Sequence, residues 1–144
     1  MRETKFRGKD IENDNPWRYG PLITYPSGCT SIIGFDKLGN ELNHDVDPDT
    51  VGQFTGLKDK SGKEIYEGDI ISVNGKYPKL IRNIDEWASY CLANLTDLDC
   101  DLKTRYWHQV SPCWWTDYKR EIKVIGNVYD NPELLKGGNH ESNV

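Results

Sequence analysis

This chain is slightly short of aliphatic residues for its size. Only 36% of its 144 residues are hydrophobic, methionine occurs once and histidine three times. No apolar run approaches the ~20 residues of a membrane span, and the first residues lack the apolar segment of a signal peptide. The expectation is a cytosolic protein with no membrane partner. Catalytic signatures are missing too: there is no phosphate-cradling glycine loop, no nucleophile elbow and no histidine-rich metal motif. His44 stands beside Asp45, but no Ser or Cys is placed to use it as a base, so the sequence assigns it no role. On this ground the chain is not expected to be an enzyme.

Metal ligands in a recognisable pattern are also lacking. Cysteines stand at 29, 91, 100 and 113, and in a cytosolic chain they are expected to be reduced thiols. Cys91, Cys100, His108 and Cys113 are too loosely spaced for a zinc knuckle. Glu41, Asp45 and Asp47 lack the dense spacing and fixed glycine of a calcium loop, so residues 41–50 read as a solvated acidic loop. No metal or cofactor is expected.

A surplus of positive charge is lacking as well: 18 Lys and Arg stand against 23 Asp and Glu, a net charge of −5. Broad nucleic-acid binding needs a basic face, which this balance disfavours. The local cluster of Arg105, Lys119, Arg120 and Lys123, interleaved with Trp107, Trp114 and Tyr118, reads first as a solvated strand edge.

What the chain does have is aromatic residues: five Trp, eight Tyr and three Phe. Each buries a large area when packed, which offsets the aliphatic shortage. They are densest at Tyr106-Trp107-His108 and Cys113-Trp114-Trp115, around Ser111-Pro112. Any one ring is best placed in a core. Exposed Trp and Tyr are also typical anchors of protein interfaces, which makes Trp107, Trp114 and Trp115 the candidate partner or subunit surface.

The organising stretch is Val51 to Val73. Two strand-like runs flank a polar connector, with Lys60-Ser61-Gly62 offering a turn and Glu67-Gly68-Asp69 a break before β-branched Ile70, Ile71 and Val73. Short strands punctuated by turns precede it: residues 2–7, then Trp17 to Tyr25 broken near Gly20-Pro21, and Ser31 to Phe35. A turn is expected at Pro26-Ser27-Gly28 and another after Phe35. Asn74-Gly75 is the strongest hairpin signal, returning the chain through Tyr77 to Ile84. Asp85 to Leu95 is ambiguous, with Trp87, Cys91 and Leu95 at helical spacing and Asp85 able to cap. Thr96 to Lys103 is turn-like. Glu121 to Tyr129 is a strand with a bend or bulge allowed at Gly126. A short helix follows, with Asn131 as cap, Pro132 in its first turn and Gly137 as stop.

Several blocks carry a resemblance. Lys5-Phe6-Arg7-Gly8, Val46-Asp47-Pro48 with Thr50-Val51-Gly52-Gln53, Thr55-Gly56-Leu57-Lys58-Asp59, and Gly62 through Ile70 occur in the order of the YopX family, as does Val124-Ile125-Gly126-Asn127-Val128-Tyr129-Asp130-Asn131-Pro132-Glu133-Leu134-Leu135. Residues 76–118 depart from it, being longer and richer in Trp and Cys; the family's register implies a strand near Asp85 to Leu95, and a strand is preferred there to the helix. The resemblance implies a small protein of phages or prophages of Firmicutes, inside the bacterial host cytoplasm, with no established function.

The resulting expectation is a mainly β protein. Residues 1–50 form a β-rich extension. Residues 51–136 form a small SH3-like barrel, implied by the resemblance, with an aromatic-rich insertion and a short C-terminal helix. Residues 137–144 are a polar tail. Three function classes follow in order: a non-catalytic accessory protein working through protein contacts or self-association, a nucleic-acid-associated module, and an enzyme of unrecognised type. Expected partners are a second copy of the chain or a host or phage protein.

Overall fold

A computed structural model describes residues 4–110, 112–117 and 119–135. It is mainly β, with antiparallel sheets and two short helices. The chain divides into two units, Met1–Gly56 and Leu57–Val144. The division falls later than the expected junction at 50/51, inside a strand. The expected stop at Gly137, the tail 137–144, the beginning of the first strand at residues 2–3, and Ser111 and Tyr118 lie outside the described residues.

The first unit holds β1 (Phe6–Lys9), β2 (Trp17–Gly20), β3 (Leu22–Thr24), β4 (Thr30–Phe35), β5 (Glu41–Val46) and the start of β6 (Gly52–Lys58). β1 pairs with β2 on one side and with β6 on the other. β3, β4 and β5 form a second, three-stranded sheet. The break foreseen at Gly20-Pro21 is what sends β2 and β3 to different sheets. Gly20 has φ +149°, and a Cβ there would stand 2.5 Å from the Ile33 carbonyl oxygen, so a side chain has no room.

Residues 41–50 are not a loop. Glu41–Val46 pairs with β4 along its whole length, and Pro48–Thr50 forms a 3₁₀ turn. The acidic composition misled because β5 is solvated: its first three residues are exposed, and only Val46 is buried. Pairing with a neighbour outweighs the low strand preference of Asp and Asn. Asp36 builds the connection, accepting the Leu38 and Asn40 N–H groups (2.9 and 2.8 Å).

The second unit continues with β7 (Glu64–Tyr66), β8 (Asp69–Val73), β9 (Lys76–Ile84), β10 (Ser89–Asn94), β11 (His108–Gln109), α1 (Pro112–Thr116) and β12 (Ile122–Asn127). Five strands form an antiparallel sheet in the order β11-β10-β9-β8-β12. Asn74 and Gly75 both have positive φ (55° and 74°), as a tight primed hairpin turn between β8 and β9 requires. Of the two alternatives for Asp85 to Leu95 the strand is realised, from Ser89 to Asn94, after a 3₁₀ turn at Asp85–Trp87. β12 is bulged between Val124 and Gly126, where glycine was expected to permit it. One helical turn follows at 132–135. The Asn131 side-chain oxygen turns back to accept the Asn127 N–H at 3.2 Å.

Every residue of β8 is buried, because this sheet is covered on both faces. Ile71, Ile81, Leu92, Ile122 and Val124 pack with Ile65 on one face. Ile70, Leu80 and Ala93 pack with Leu95, Leu98 and Val128 on the other. The consecutive Ile70-Ile71 pair is the sequence mark of this arrangement, since neighbours along a strand point to opposite sides.

Candidate interaction site

The three tryptophans singled out by the sequence do not form one patch. Trp107 packs on the layer of Ile70 and Leu80, beside Leu102, Tyr129, Leu134 and Leu135. Trp114 and Trp115 pack on the layer of Ile71 and Ile81. All three are half-buried. The separation follows from the doubly covered sheet: the aromatic segment crosses from one face to the other, and spacing along the chain carries no sign of that.

Trp114 and Trp115 sit on α1, a single helical turn with proline at its first position, where the missing N–H costs nothing. Their rings meet edge to face, centroids 4.9 Å apart and planes at 87°, the geometry favoured by the quadrupoles of aromatic pairs. Arg120 closes over this turn. Its guanidinium lies 4.5 Å from the centre of the Trp114 ring and donates to the Trp114 carbonyl oxygen at 2.6 Å. Asp117 stands 3.8 Å from the same guanidinium. One side of Trp114 is therefore already occupied by a cation. Of the basic cluster read from sequence, Arg120 is built into this site in this way.

Next to α1 lies an open cleft of about 250 Å³. Leu57, Trp115 and Ile122 supply its apolar lining, and Lys58, Lys60 and Arg120 its cations. The side opposite α1 is held by Asp59, which the sequence reading left as part of a motif without a role. Its Oδ1 accepts the N–H groups of Ser61 and Lys63, both at 2.9 Å, and its Oδ2 accepts the Val124 N–H at 3.0 Å. This carboxylate is buried and spent on backbone, so it adds little negative field to the cleft. Gly62, at φ +87°, lets the turn close beneath it. Lys60 is paired with Glu121, and that hydrogen bond and charge hold the Glu121 carboxyl below its ordinary 4.5.

Elsewhere the structure joins residues far apart in sequence. In the first unit Asp10, buried, receives the Arg18 Nε–H at 2.9 Å, and His44 Nδ1 stands 3.6 Å from the same oxygen. His44, given no role from sequence, faces this carboxylate rather than its neighbour Asp45, whose Oδ1 accepts the Ser31 hydroxyl. Among the cysteines Cys91 is buried, and burial pushes its thiol pKa up. Cys29, Cys100 and Cys113 are exposed.

No curated protein matches the chain. The model of the family described as YopX protein matches residues 5–136, nearly its whole length and both structural units. The chain belongs to the YopX family.

Proposed function

We propose that this chain is a non-catalytic accessory protein of a phage or prophage, acting in the cytoplasm of the bacterial host through protein–protein contacts or self-association. The observation that carries the reading is the half-buried Trp114–Trp115 pair beside an open, mixed apolar and cationic cleft. Rigid aromatic side chains with part of their surface accessible are the usual energetic anchors of interfaces. The same reading takes the second unit as an SH3-like binding module, supported by the antiparallel succession of β8, β9 and β10 with β12 returning beside β8.

A second reading, a nucleic-acid-associated module, draws on the cation stacked on Trp114. It is weaker because that ring face is already covered, while strand-binding surfaces offer rings in series. The test is an affinity pull-down from host cells, with and without nuclease, using the wild-type chain and Trp115→Ser. A stoichiometric protein partner, or a self-associated form, that survives nuclease and is lost in Trp115→Ser at an unchanged melting temperature supports contact through this surface. Recovery of nuclease-sensitive material alone overturns it. So does Trp115→Ser unfolding outright while the wild type captures nothing.

A further inference from the structure

We infer that the cleft between the Lys58–Lys60 segment and Trp115 receives an acidic peptide segment of a partner protein, one apolar side chain on Leu57, Trp115 and Ile122 and a neighbouring carboxylate on Lys58. The inference rests on the contact reading above and names the partner's chemistry. Volume sets the first limit. At about 250 Å³ the cleft falls below the roughly 300–1,000 Å³ of sites that enclose drug-sized molecules. It suits a single large side chain of a longer ligand.

Charge sets the second limit. Of the cations lining the cleft, Lys60 is paired with Glu121 and Arg120 stands beside Asp117. Lys58 is exposed and makes no ion pair among the described residues. Asp59, the remaining acid at the cleft, is buried with its carboxylate on three backbone N–H groups. The cleft therefore presents one exposed cation without an ion pair among the described residues, Lys58, in a chain of net charge −5. That single charge complements one carboxylate next to an apolar anchor. It is too small to displace the counterions of a polynucleotide, whose affinity grows with every phosphate neutralised. Among the described residues the cleft offers one ring, Trp115, for bases to stack on.

The experiment uses the full chain, isotopically labelled, titrated with three probes: a short synthetic peptide carrying Trp-Leu flanked by Glu and Asp, the same peptide with Lys in place of every acid, and oligo-dT. The acidic peptide is expected to shift the backbone amides of residues 57–60 and the Trp115 indole N–H, with saturation and with weakening as salt is raised. The lysine peptide is expected to leave them unmoved. Lys58→Glu, which alters an exposed side chain, is expected to weaken the acidic peptide by about tenfold, as reversing one rim charge does. A cleft response to oligo-dT in preference to the acidic peptide overturns the inference, and so does an equal response to both peptides or none to either. If the pull-down still yields a nuclease-resistant partner lost in Trp115→Ser, the contact reading survives and only the partner's chemistry is wrong.

Discussion

The two units of this chain hold a similar kind of β structure by different means. In the second, most of the buried residues are aliphatic and lie in two layers about one sheet, with Asp59, Asp69, Ser72 and Asn127 as a buried polar minority. In the first, Ile32, Val46 and Phe54 are joined by buried Asp10, Thr30, Ser31 and Thr50. Polar side chains do there what aliphatic layers do in the other unit. Asp10 accepts from Glu12 N–H and Arg18, and Thr50 accepts the Lys9 N–H at 2.9 Å while donating to the Asp47 carbonyl. A chain short of aliphatic residues thus concentrates them in one unit and ties the other with directed bonds. Apolar burial is indifferent to proton concentration and direction, whereas a hydrogen-bonded carboxylate depends on both.

That contrast can be broken at several points. The largest effect is expected in the apolar layers. Ile71→Ala, at a fully buried position, should cost about 2–5 kcal/mol by emptying space that its neighbours cannot refill. Denaturant unfolding measures it, and a loss like that of a surface substitution would mean the sheet is not doubly covered. Gly68→Val comes next. Gly68 has φ +93°, and an added Cβ would stand 3.1 Å from the Tyr129 ring, so a cost of about 1–3 kcal/mol is expected from the backbone strain alone. A melting temperature no lower than that of Lys58→Ala would count against it.

The third effect is smaller and depends on pH. The Glu12 N–H bond, followed by the hydrogen bonds from Arg18 and Asn13 and the charge of Arg18, holds Asp10 below its ordinary 3.8, against the opposing effect of burial. A carboxyl depressed on folding stabilises fully above 3.8, and that contribution disappears as pH falls through the lower folded value. Asp10→Asn should therefore be less stable than wild type at neutral pH, and the gap should close in acid below 3.8. Parallel unfolding curves across that range, with the gap unchanged, would show that the carboxylate's charge is not what matters.

Local chemistry made much of this fold legible. Asn74-Gly75 demands a primed turn, Gly126 permits a bulge, and Gly20-Pro21 interrupts a strand; all three occur where expected. Composition misled at 41–46, where acidic residues suited to solvent turned out to be the solvated side of a paired strand. Long-range groupings were beyond reach for a different reason. Trp107 and Trp114 share a segment yet pack on opposite sides of a sheet, while Asp59 meets Val124, and Asp10 meets Arg18 and His44, only once the chain has folded. The cleft inherits this: Trp115 and Arg120 were visible as residue types, but Leu57, Lys58 and Lys60 join them only through the turn that Asp59 closes.

Asp59 has one more effect, at an edge of the sheet. β12 is the last strand on its side of the five-stranded sheet, a place where unpaired peptide groups invite another chain to add a strand and start a fibre. Here the Val124 N–H is taken by the Asp59 carboxylate, the Ile122 carbonyl by the Lys60 N–H at 3.0 Å, and the Asn127 N–H by Asn131. The template is stoppered at both ends by side chains and a turn of its own unit. With these groups already bonded within the unit, a second chain gains less by adding a strand here, which favours association through side chains.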